Sequence, residues 1–420
     1  MASTAGTPSA RWVDQPDHAA WLRGQLAAQL RFARGFVHPE GGAWYLGEGG
    51  VPDPSRPVAT WITARMTHVY SLGHLAGLPG CRSLAAAGIG GLTGRLRDEV
   101  NGGWFASLGP GGQRDETKAA YAHAFVVFAS SSASVAGVPG ARELLDEALA
   151  VLDERFWQEG PGLHRDSAVA DWSTFSDYRG VNANMHAVEA LLSAADTTGQ
   201  VRWLERAARI TGTVLGWASG NDWRIPEHFD PSWGPLLEHH RDQPDHPFEP
   251  YGATVGHGLE WARLALHVRA ALGDEAPASV SDGMLEGARA LFARAVGDGW
   301  AADGADGFVY TTDWSGAPVV RQRMHWVAAE AISAAGALST ATGDPAYEAW
   351  YRTWWDYAVA HLIDVDGSWR HELDPTNQPA GTVWPGRPDL YHSIHAVLLQ
   401  RLPLAPSAPT ALANGLWRAG

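Results

Sequence analysis

The chain has 420 residues, 45% of them hydrophobic, and 31 basic against 46 acidic residues give a formal net charge of −15. This balance is typical of a soluble globular protein, and an acidic chain without a basic block disfavours nucleic-acid binding. The single cysteine, Cys81, excludes a disulfide framework and a cysteine-rich zinc site, and we interpret it as a packing residue. The single lysine, Lys118, is the one candidate for Schiff-base chemistry, and its place at a predicted helix start favours a surface or capping role.

The two ends of the chain differ in composition from the rest. Residues 1–12 are mostly small and polar, which predicts a disordered N-terminus without the layout of a signal peptide. No apolar run approaches the roughly 20 residues that span a bilayer. We therefore expect a cytoplasmic protein with no membrane partner, built as one domain over 13–405 and ending in a tail over 406–420.

A regular repeat runs through the chain. Six short segments, most of which pair Gly or Asp with an aromatic residue, are anchored on Trp44, Trp104, Leu163, Trp223, Phe308 and Trp369. Four of the five intervals between successive anchors are nearly equal in length. The fourth interval is longer because it contains a polar, proline-rich insertion at 231–250, which we interpret as a functional loop.

Two helices fit between successive anchors. In chain order the predicted pairs are 56–76 with 82–99, 118–135 with 142–157, 181–195 with 201–217, 255–272 with 280–296, and 325–342 with 347–363. The last helix, 390–402, would pair with the first, 19–36, and close a ring. The pattern predicts an all-α (α/α)6 barrel of six helical hairpins, with short β-hairpin-like loops at one end.

Polar residues recur at one level of the first helix in each pair. Arg65, His186, Glu330 and His392 each follow the anchor of their repeat at nearly the same distance along the sequence. Because equivalent positions of a ring share one height, we expect these side chains to converge on a single pocket.

Two histidines have a carboxylate three residues later, His186 with Glu189 and His257 with Glu260. This spacing puts both groups on one helix face, where the carboxylate could orient the imidazole and raise its pKa towards neutrality for general acid–base catalysis. A hydrogen-bonded histidine at a helix start is an equally good interpretation of either pair alone.

A metal site is the main alternative use of the histidines. His239, His240 and His246 lie together in the insertion, yet no HExxH motif or tight ligand spacing is present. We interpret this group as a solvated loop or a lid, and we predict neither a metal nor another cofactor. P-loop, dinucleotide-binding and GxSxG motifs are also missing.

Aromatic residues flank the polar positions, in a chain with 21 tryptophans. Trp61 lies one helical turn before Arg65, Trp326 one turn before Glu330, and Trp384 shortly before His392. Flat rings beside polar groups suit a sugar, whose C–H faces stack while its hydroxyls form hydrogen bonds. Most of the other tryptophans are expected to be core or hairpin residues.

Several segments together resemble a known family. They are RGVNANMHAVEA (179–190), RIPEHFDPSW (224–233), YGATVGHGLEWARLAL (251–266), WVAAEAI (326–332) and the stretch from GSWRHELD to WPGRPDLYHSIHA (367–396). These segments are similar to the N-acylglucosamine 2-epimerase superfamily, and most of all to its aldose–ketose isomerase branch, which includes mannose and sulfoquinovose isomerases. The resemblance implies an (α/α)6 barrel that acts on a monosaccharide without metal or nucleotide.

The resemblance also implies roles for individual residues. His257 and His392 would be the general acid–base pair, His186 would assist ring opening or hold the open-chain sugar, and Glu260 would orient or polarise a histidine. The residues expected to bind the sugar are Arg65, Trp61, Tyr121, Asn182, Trp326 and Glu330.

One departure bears on the substrate. The sulfosugar enzymes of this branch carry a basic residue before Tyr251-Gly252, where this chain has Glu249-Pro250. A carboxylate there would repel a sulfonate, so we expect a neutral sugar: D-mannose and D-fructose, with D-lyxose and D-xylulose as a further pair. A sugar 2-epimerase, a sulfoquinovose isomerase, an inverting glycoside hydrolase using Glu260 and Glu330, and a non-catalytic sugar-binding ring stay as alternatives, and a homo-oligomer stays open.

Overall fold

The computed structural model describes residues 11–417, apart from the side chain of Glu275. Its α-helices are α1 Pro16–Phe32, α2 Thr60–Leu75, α3 Cys81–Thr93, α4 Ala120–Val135, α5 Ala141–Val151, α6 Val181–Thr198, α7 Val201–Ser219, α8 Val255–Leu272, α9 Ala278–Gly299, α10 His325–Thr342, α11 Pro345–Tyr357, α12 Tyr391–Leu398 and α13 Ala408–Ala413. The even-numbered helices form an inner ring, and the odd-numbered helices from α1 to α11 form an outer ring. The predicted (α/α)6 barrel is confirmed.

Burial distinguishes the two rings. The inner helix α4 is buried along nearly its whole length and is built from Ala, Ser, Val and Phe, so neighbouring helices contact it on every side. The outer helix α7 is amphipathic, with Trp203, Ala207, Ile210 and Val214 on its buried face. Each inner helix contacts the next around the ring, and α12 closes it against α2 and α1.

Short antiparallel ladders cap one end of the barrel. The strands, two residues each, are β1 Val58–Ala59, β2 Ser107–Leu108, β3 Arg114–Asp115, β4 Lys118–Ala119, β5 Trp157–Gln158, β6 Leu163–His164, β7 Ser167–Ala168, β8 Arg179–Gly180, β9 His228–Phe229, β10 Ala253–Thr254, β11 Thr311–Thr312, β12 Arg323–Met324, β13 Glu372–Leu373 and β14 Pro379–Ala380. Five of them, β1, β4, β8, β10 and β12, directly precede an inner helix. The ladders therefore hold the N-terminal ends of the inner helices together.

Three of the six repeat anchors have a common structural role. Trp104, Phe308 and Trp369 each form an antiparallel bridge with the end of the preceding outer segment, at Arg97, Trp300 and Ile363. Trp104 and Trp369 are fully buried. These three anchors are thus the points where their hairpins turn back towards the ring.

The structure can be compared with the sequence-based expectations for Lys118, Cys81 and the two ends of the chain. Lys118 is fully buried, with Nζ 2.6 Å from Oδ2 of Asp98, so its interpretation as a surface or capping residue was wrong. Cys81 is buried and unbridged, as expected of a packing residue. The N-terminal prediction falls mostly on residues 1–10, outside the described residues, while the expected tail contains α13, which packs against α2, α4 and α6.

No helix between residues 11 and 417 combines the length and the apolar character that crossing a bilayer requires.

Candidate active site

A pocket of about 610 Å³ opens at the N-terminal ends of the inner helices. The second residue of five of these helices lines it, namely Trp61, Tyr121, Asn182, Trp326 and His392. In α8 the second residue is Gly256, where a Cβ would lie 2.3 Å from the Trp326 ring. Glycine at this position leaves room for that ring, and the third residue, His257, faces the pocket instead.

Nine of the ten predicted site residues line this pocket, and only Glu330 does not. Arg65, His186 and Glu330 are each the sixth residue of their helix, as their common distance from the anchors predicts. His392 is the second residue of α12, one turn closer to the mouth, so its predicted height was wrong. The reason is that the connection from Trp369 to α12 is longer than the connections from Trp44, Leu163 and Phe308 to the inner helices that carry Arg65, His186 and Glu330.

His392 forms a hydrogen bond with a fully buried carboxylate. Its Nδ1–H donates to Oε1 of Glu330 over 2.8 Å, which leaves Nε2 as an acceptor available to a substrate. Glu330 is 0% exposed, and its other oxygen accepts from Nε of Arg263. Glu330 is thus placed to orient His392 and does not itself line the pocket, whereas the sequence-based expectation put it among the sugar-binding residues.

A carboxylate also lies beside His257, although Nδ1 of this histidine forms no hydrogen bond within the described chain. Its Nδ1 lies 3.0 Å from Oε2 of Glu227, a buried residue that directly precedes β9. The prediction that Glu260 sits against His257 was wrong, because Glu260 lies closer to His186, with its Oε1 3.8 Å from Nδ1. Both catalytic candidates thus present Nε2 to the pocket with a carboxylate behind Nδ1.

The expectation that a neighbouring carboxylate raises the histidine pKa fails at His186. Burial, followed by the positive charge of Arg65, lowers the pKa of His186 and of His392 well below the ordinary value. Both imidazoles are consequently neutral near pH 7, the state in which a histidine can accept a proton.

Arg263 organises the floor beneath the pocket. Its guanidinium lies 2.9 Å from Glu330, 3.0 Å from Glu189 and 3.5 Å from Glu260, and it is 1% exposed. Burial and the nearby negative charge of Glu330 raise the pKa of Glu260 well above the ordinary value, which favours its protonated form. Glu260 can then donate a hydrogen bond as well as accept one.

A second cation forms one wall. Arg65 lies 3.2 Å from Asp389 and donates to the Tyr121 hydroxyl over 2.8 Å. Its guanidinium also lies 4.4 Å from the centre of the Phe125 ring and 5.0 Å from that of Trp61. These contacts hold the charge in place while leaving hydrogen-bond donors for a ligand.

Aromatic rings form the remaining walls. The Trp326 ring lies between the two histidines, 5.3 Å from His257 and 5.6 Å from His392. Tyr310, Trp384, His325 and His371 complete this side. Burial lowers the pKa of His371 to about 3, so this ring is neutral as well.

Several polar atoms at the bottom of the pocket have no partner. Within the described chain, Oδ1 of Asn182, Nδ1 of His186 and both carboxyl oxygens of Glu260 are buried and form no hydrogen bond. Such groups are normally satisfied, so they mark the surface on which a polar ligand would bind.

The insertion at 231–250 folds over one edge of the pocket. Pro247, Phe248 and Pro250 line it, and Phe248 reaches across to Trp384 with ring centres 5.1 Å apart. Behind this segment His239 hydrogen-bonds the Glu249 carboxylate over 2.8 Å and His240 the Glu249 carbonyl. Glu249 faces these histidines and does not line the pocket.

Three groups of side chains have the composition of a metal site. They are His239 with His240 and Glu249, His186 with Glu189 and Glu260, and Glu260 with Glu330 and His392, each with donor atoms within 4.8 Å of one another. The last two surround the Arg263 guanidinium, which already supplies a positive charge to the same carboxylates. A second cation would be repelled there.

Sequence reasoning missed Glu227 and Arg263. Glu227 lies in the segment 224–233, but no spacing ties it to a histidine on the next inner helix. Arg263 gave a better signal, because it interrupts an apolar helix three residues after Glu260 and so shares its face.

Asp166, which lies beside the insertion, should make the thermal stability of the protein depend on pH. Burial and the nearby Glu249 carboxylate raise the pKa of Asp166 from 3.8 to about 7. Between pH 3.8 and about 7 the folded protein therefore keeps this proton while the unfolded chain loses it. The folded state becomes less stable as the pH rises through this range. We expect Asp166→Asn to raise the Tm at pH 8 and to raise it by a clearly smaller amount at pH 5. Thermal melts at both values test this, with the exposed Asp242→Asn as control. An equal shift at both pH values would contradict the prediction.

The chain is similar to known proteins over most of its length. The profile of the N-acylglucosamine 2-epimerase family matches residues 41–396. The chain is 52% identical over 407 residues to D-mannose isomerase of Thermobifida fusca, covering 96% of this chain and 99% of the relative. It is 45% identical over 406 residues to D-mannose isomerase of Pseudomonas cannabina pv. alisalensis, covering 96% and 97%.

A solved structure of a D-mannose isomerase superposes with a TM-score of 0.83 at 28% identity, covering 90% of this chain and 96% of the other. The matched profile spans most of the chain, and the relatives align with it almost end to end. The chain therefore belongs to the N-acylglucosamine 2-epimerase family.

Proposed function

We propose that this protein is a cofactor-independent aldose–ketose isomerase that interconverts D-mannose and D-fructose, with D-lyxose and D-xylulose as a further pair. The observation that carries the proposal is the pair His257 and His392, which flank Trp326 and each have a carboxylate behind Nδ1. The D-mannose isomerases to which the chain is similar support the choice of sugar.

The reaction moves a proton from C2 to C1 of the open-chain sugar through a cis-enediolate. His392 is the base in this scheme, because its Nδ1–H is committed to Glu330 and burial keeps the ring neutral. It takes the C2 proton on Nε2 and returns it to C1. His257 moves the second proton between O1 and O2, with Glu227 stabilising its charged form.

The remaining polar groups hold the sugar. Arg65 and the N-terminal ends of the inner helices stabilise negative charge that develops on the enediolate oxygens. His186, with Glu260 beside it, assists opening of the sugar ring, and Asn182 and Tyr121 bind hydroxyls.

An inverting glycoside hydrolase fits the site poorly. That reaction needs two carboxyl groups roughly 6.5–9.5 Å apart on either side of the scissile bond. Glu260 and Glu330 have oxygens within 4.8 Å of each other, and both oxygens of Glu330 are engaged by His392 and Arg263. A 2-epimerase would use the same two histidines, so the product distinguishes it.

The decisive experiment is incubation with D-mannose in D₂O containing EDTA, followed by NMR. We expect fructose with partial deuterium at C1. Glucose with deuterium at C2 would instead identify a 2-epimerase, and turnover of sulfoquinovose alone would favour the sulfosugar isomerase. The absence of product from mannose, fructose, glucose and lyxose would overturn the proposal.

We also propose that the enzyme is metal-independent and cytoplasmic. Arg263 supplies the positive charge that a metal would otherwise bring to the carboxylates. A single cysteine cannot form a disulfide within the chain, and proteins of reducing compartments rarely contain disulfides. Loss of turnover in EDTA with recovery on adding a metal would contradict the first statement.

A further inference from the structure

A second groove borders the pocket on the other side of the insertion. It lies against Tyr45, Asp115, Asp166 and Tyr178 and has a volume of about 960 Å³. The two cavities share a wall consisting of Trp61, Tyr121, Asn182 and Phe248. Phe248 is the one member of this wall that comes from the insertion and not from an inner helix.

The Phe248 ring lies at the boundary between the two cavities, here called the passage, because it lines both of them. It lies edge-on to Trp61, Tyr121 and Trp384, with ring centres 6.2, 6.3 and 5.1 Å away. The ring is 45% exposed and is one of the side chains that line both cavities. A smaller side chain at this position would therefore leave less of a wall between them.

The backbone around Phe248 is constrained. Pro247 precedes it, and Pro250 follows two residues later. Between them, Glu249 is bound through its carboxylate by His239 and through its carbonyl by His240. The ring is thus fixed at the passage by contacts that do not involve the catalytic residues.

The chemistry of the second groove suits a neutral, hydroxyl-rich ring. Tyr45, Tyr178 and Trp61 offer aromatic surface, while Asp115, Asp166 and Glu249 offer acceptors. No Lys, Arg or His lines the groove within residues 11–417. A phosphorylated or sulfonated group would therefore be repelled, whereas a second sugar unit would not.

We propose that Phe248 determines specificity by limiting the substrate to one sugar ring, and that shortening it opens the groove to the second ring of a disaccharide. This inference rests on the proposed function, because it takes the reducing sugar to react at His257 and His392. The disaccharide that fits the scheme is β-1,4-mannobiose, whose reducing mannose keeps C1 and C2 free.

The test compares Phe248→Ala with the wild type on mannose and on β-1,4-mannobiose. We expect the ratio of kcat/KM for mannobiose to that for mannose to rise about tenfold or more, the range by which removal of steric bulk changes discrimination. Phe248→Trp should keep the ratio at or below the wild-type value. Leu236→Ala, an exposed apolar residue of the same insertion that lines neither cavity, should leave it unchanged.

Three results would overturn the inference. They are a wild type that already converts mannobiose as well as mannose, an unchanged ratio in a folded Phe248→Ala variant, and a gain that survives the further change Tyr45→Ala in the groove. Calorimetric binding of mannobiose to Phe248→Ala and to the wild type gives the same comparison without turnover. Failure of the wild type to convert mannose would instead refute the proposed function, and the binding ratio would still decide the role of Phe248.

Discussion

His392→Gln is expected to lower kcat for mannose–fructose conversion by at least about 10²-fold, the lower end for loss of a general base. Glutamine keeps a similar size and can still hydrogen-bond Glu330, but it cannot accept the C2 proton. His257→Gln should have an effect of the same order, because its Nε2 is needed for the second proton transfer. Steady-state kinetics on mannose measures both effects.

The matched control for these variants is His74→Gln, at the opposite end of α2 from the pocket. It should retain wild-type turnover. Glu330→Gln should reduce kcat less than His392→Gln, since it removes the orientation of the imidazole and not the imidazole itself. Near-normal turnover in either His257→Gln or His392→Gln would remove that residue from the acid–base pair.

Arg263→Met is expected to lower the free energy of unfolding by about 3–5 kcal/mol at pH 7, the cost typical of removing one partner from a buried ion pair. Without the guanidinium, Glu189 and Glu330 would lose the cation that both contact, and the Glu260 carboxyl beside them would lose it as well. Methionine has a comparable length, so loss of packing contributes little to the difference. Urea denaturation followed by circular dichroism measures the change.

The loss of stability in Arg263→Met should become smaller as the pH falls. Loss of the cation raises the pKa of the remaining carboxyls in the folded state, so that state binds protons more readily, and the penalty shrinks as the pH falls towards 5. The control is Arg142→Met, which breaks an exposed pair with Asp146 and should cost at most about 1 kcal/mol. An Arg263→Met variant as stable as the wild type would show that the cluster is not held together by this charge.

The fold could be predicted because its helical hairpins recur at a regular interval along the sequence. Helical hairpins that recur at a regular interval have few ways to bury their apolar faces other than a ring, and the anchors mark each turn. The positions of Trp61, Arg65, His186 and Trp326 followed from the same period, because each lies within two turns of a helix start.

The partners of the catalytic residues could not be predicted in this way. Spacing along one helix put Glu260 with His257 and Glu189 with His186, whereas the ring brings His257 to Glu227 and Glu260 to His186. These contacts join different segments of the chain, and their geometry depends on how the helices cross. The low pKa of His392 was missed for a related reason, since it results from burial and from charges on other helices.

The closure of the ring by α12 against α2 has a consequence for how the chain becomes active. The ion pair of Arg65 with Asp389 joins residues 324 positions apart, and His392 follows in the same segment. During synthesis the first five hairpins can stack in the order in which they leave the ribosome, yet the acid–base pair has one member until the last helix emerges. In the proposed mechanism, both members of the pair are therefore in place only when α12 packs against α2.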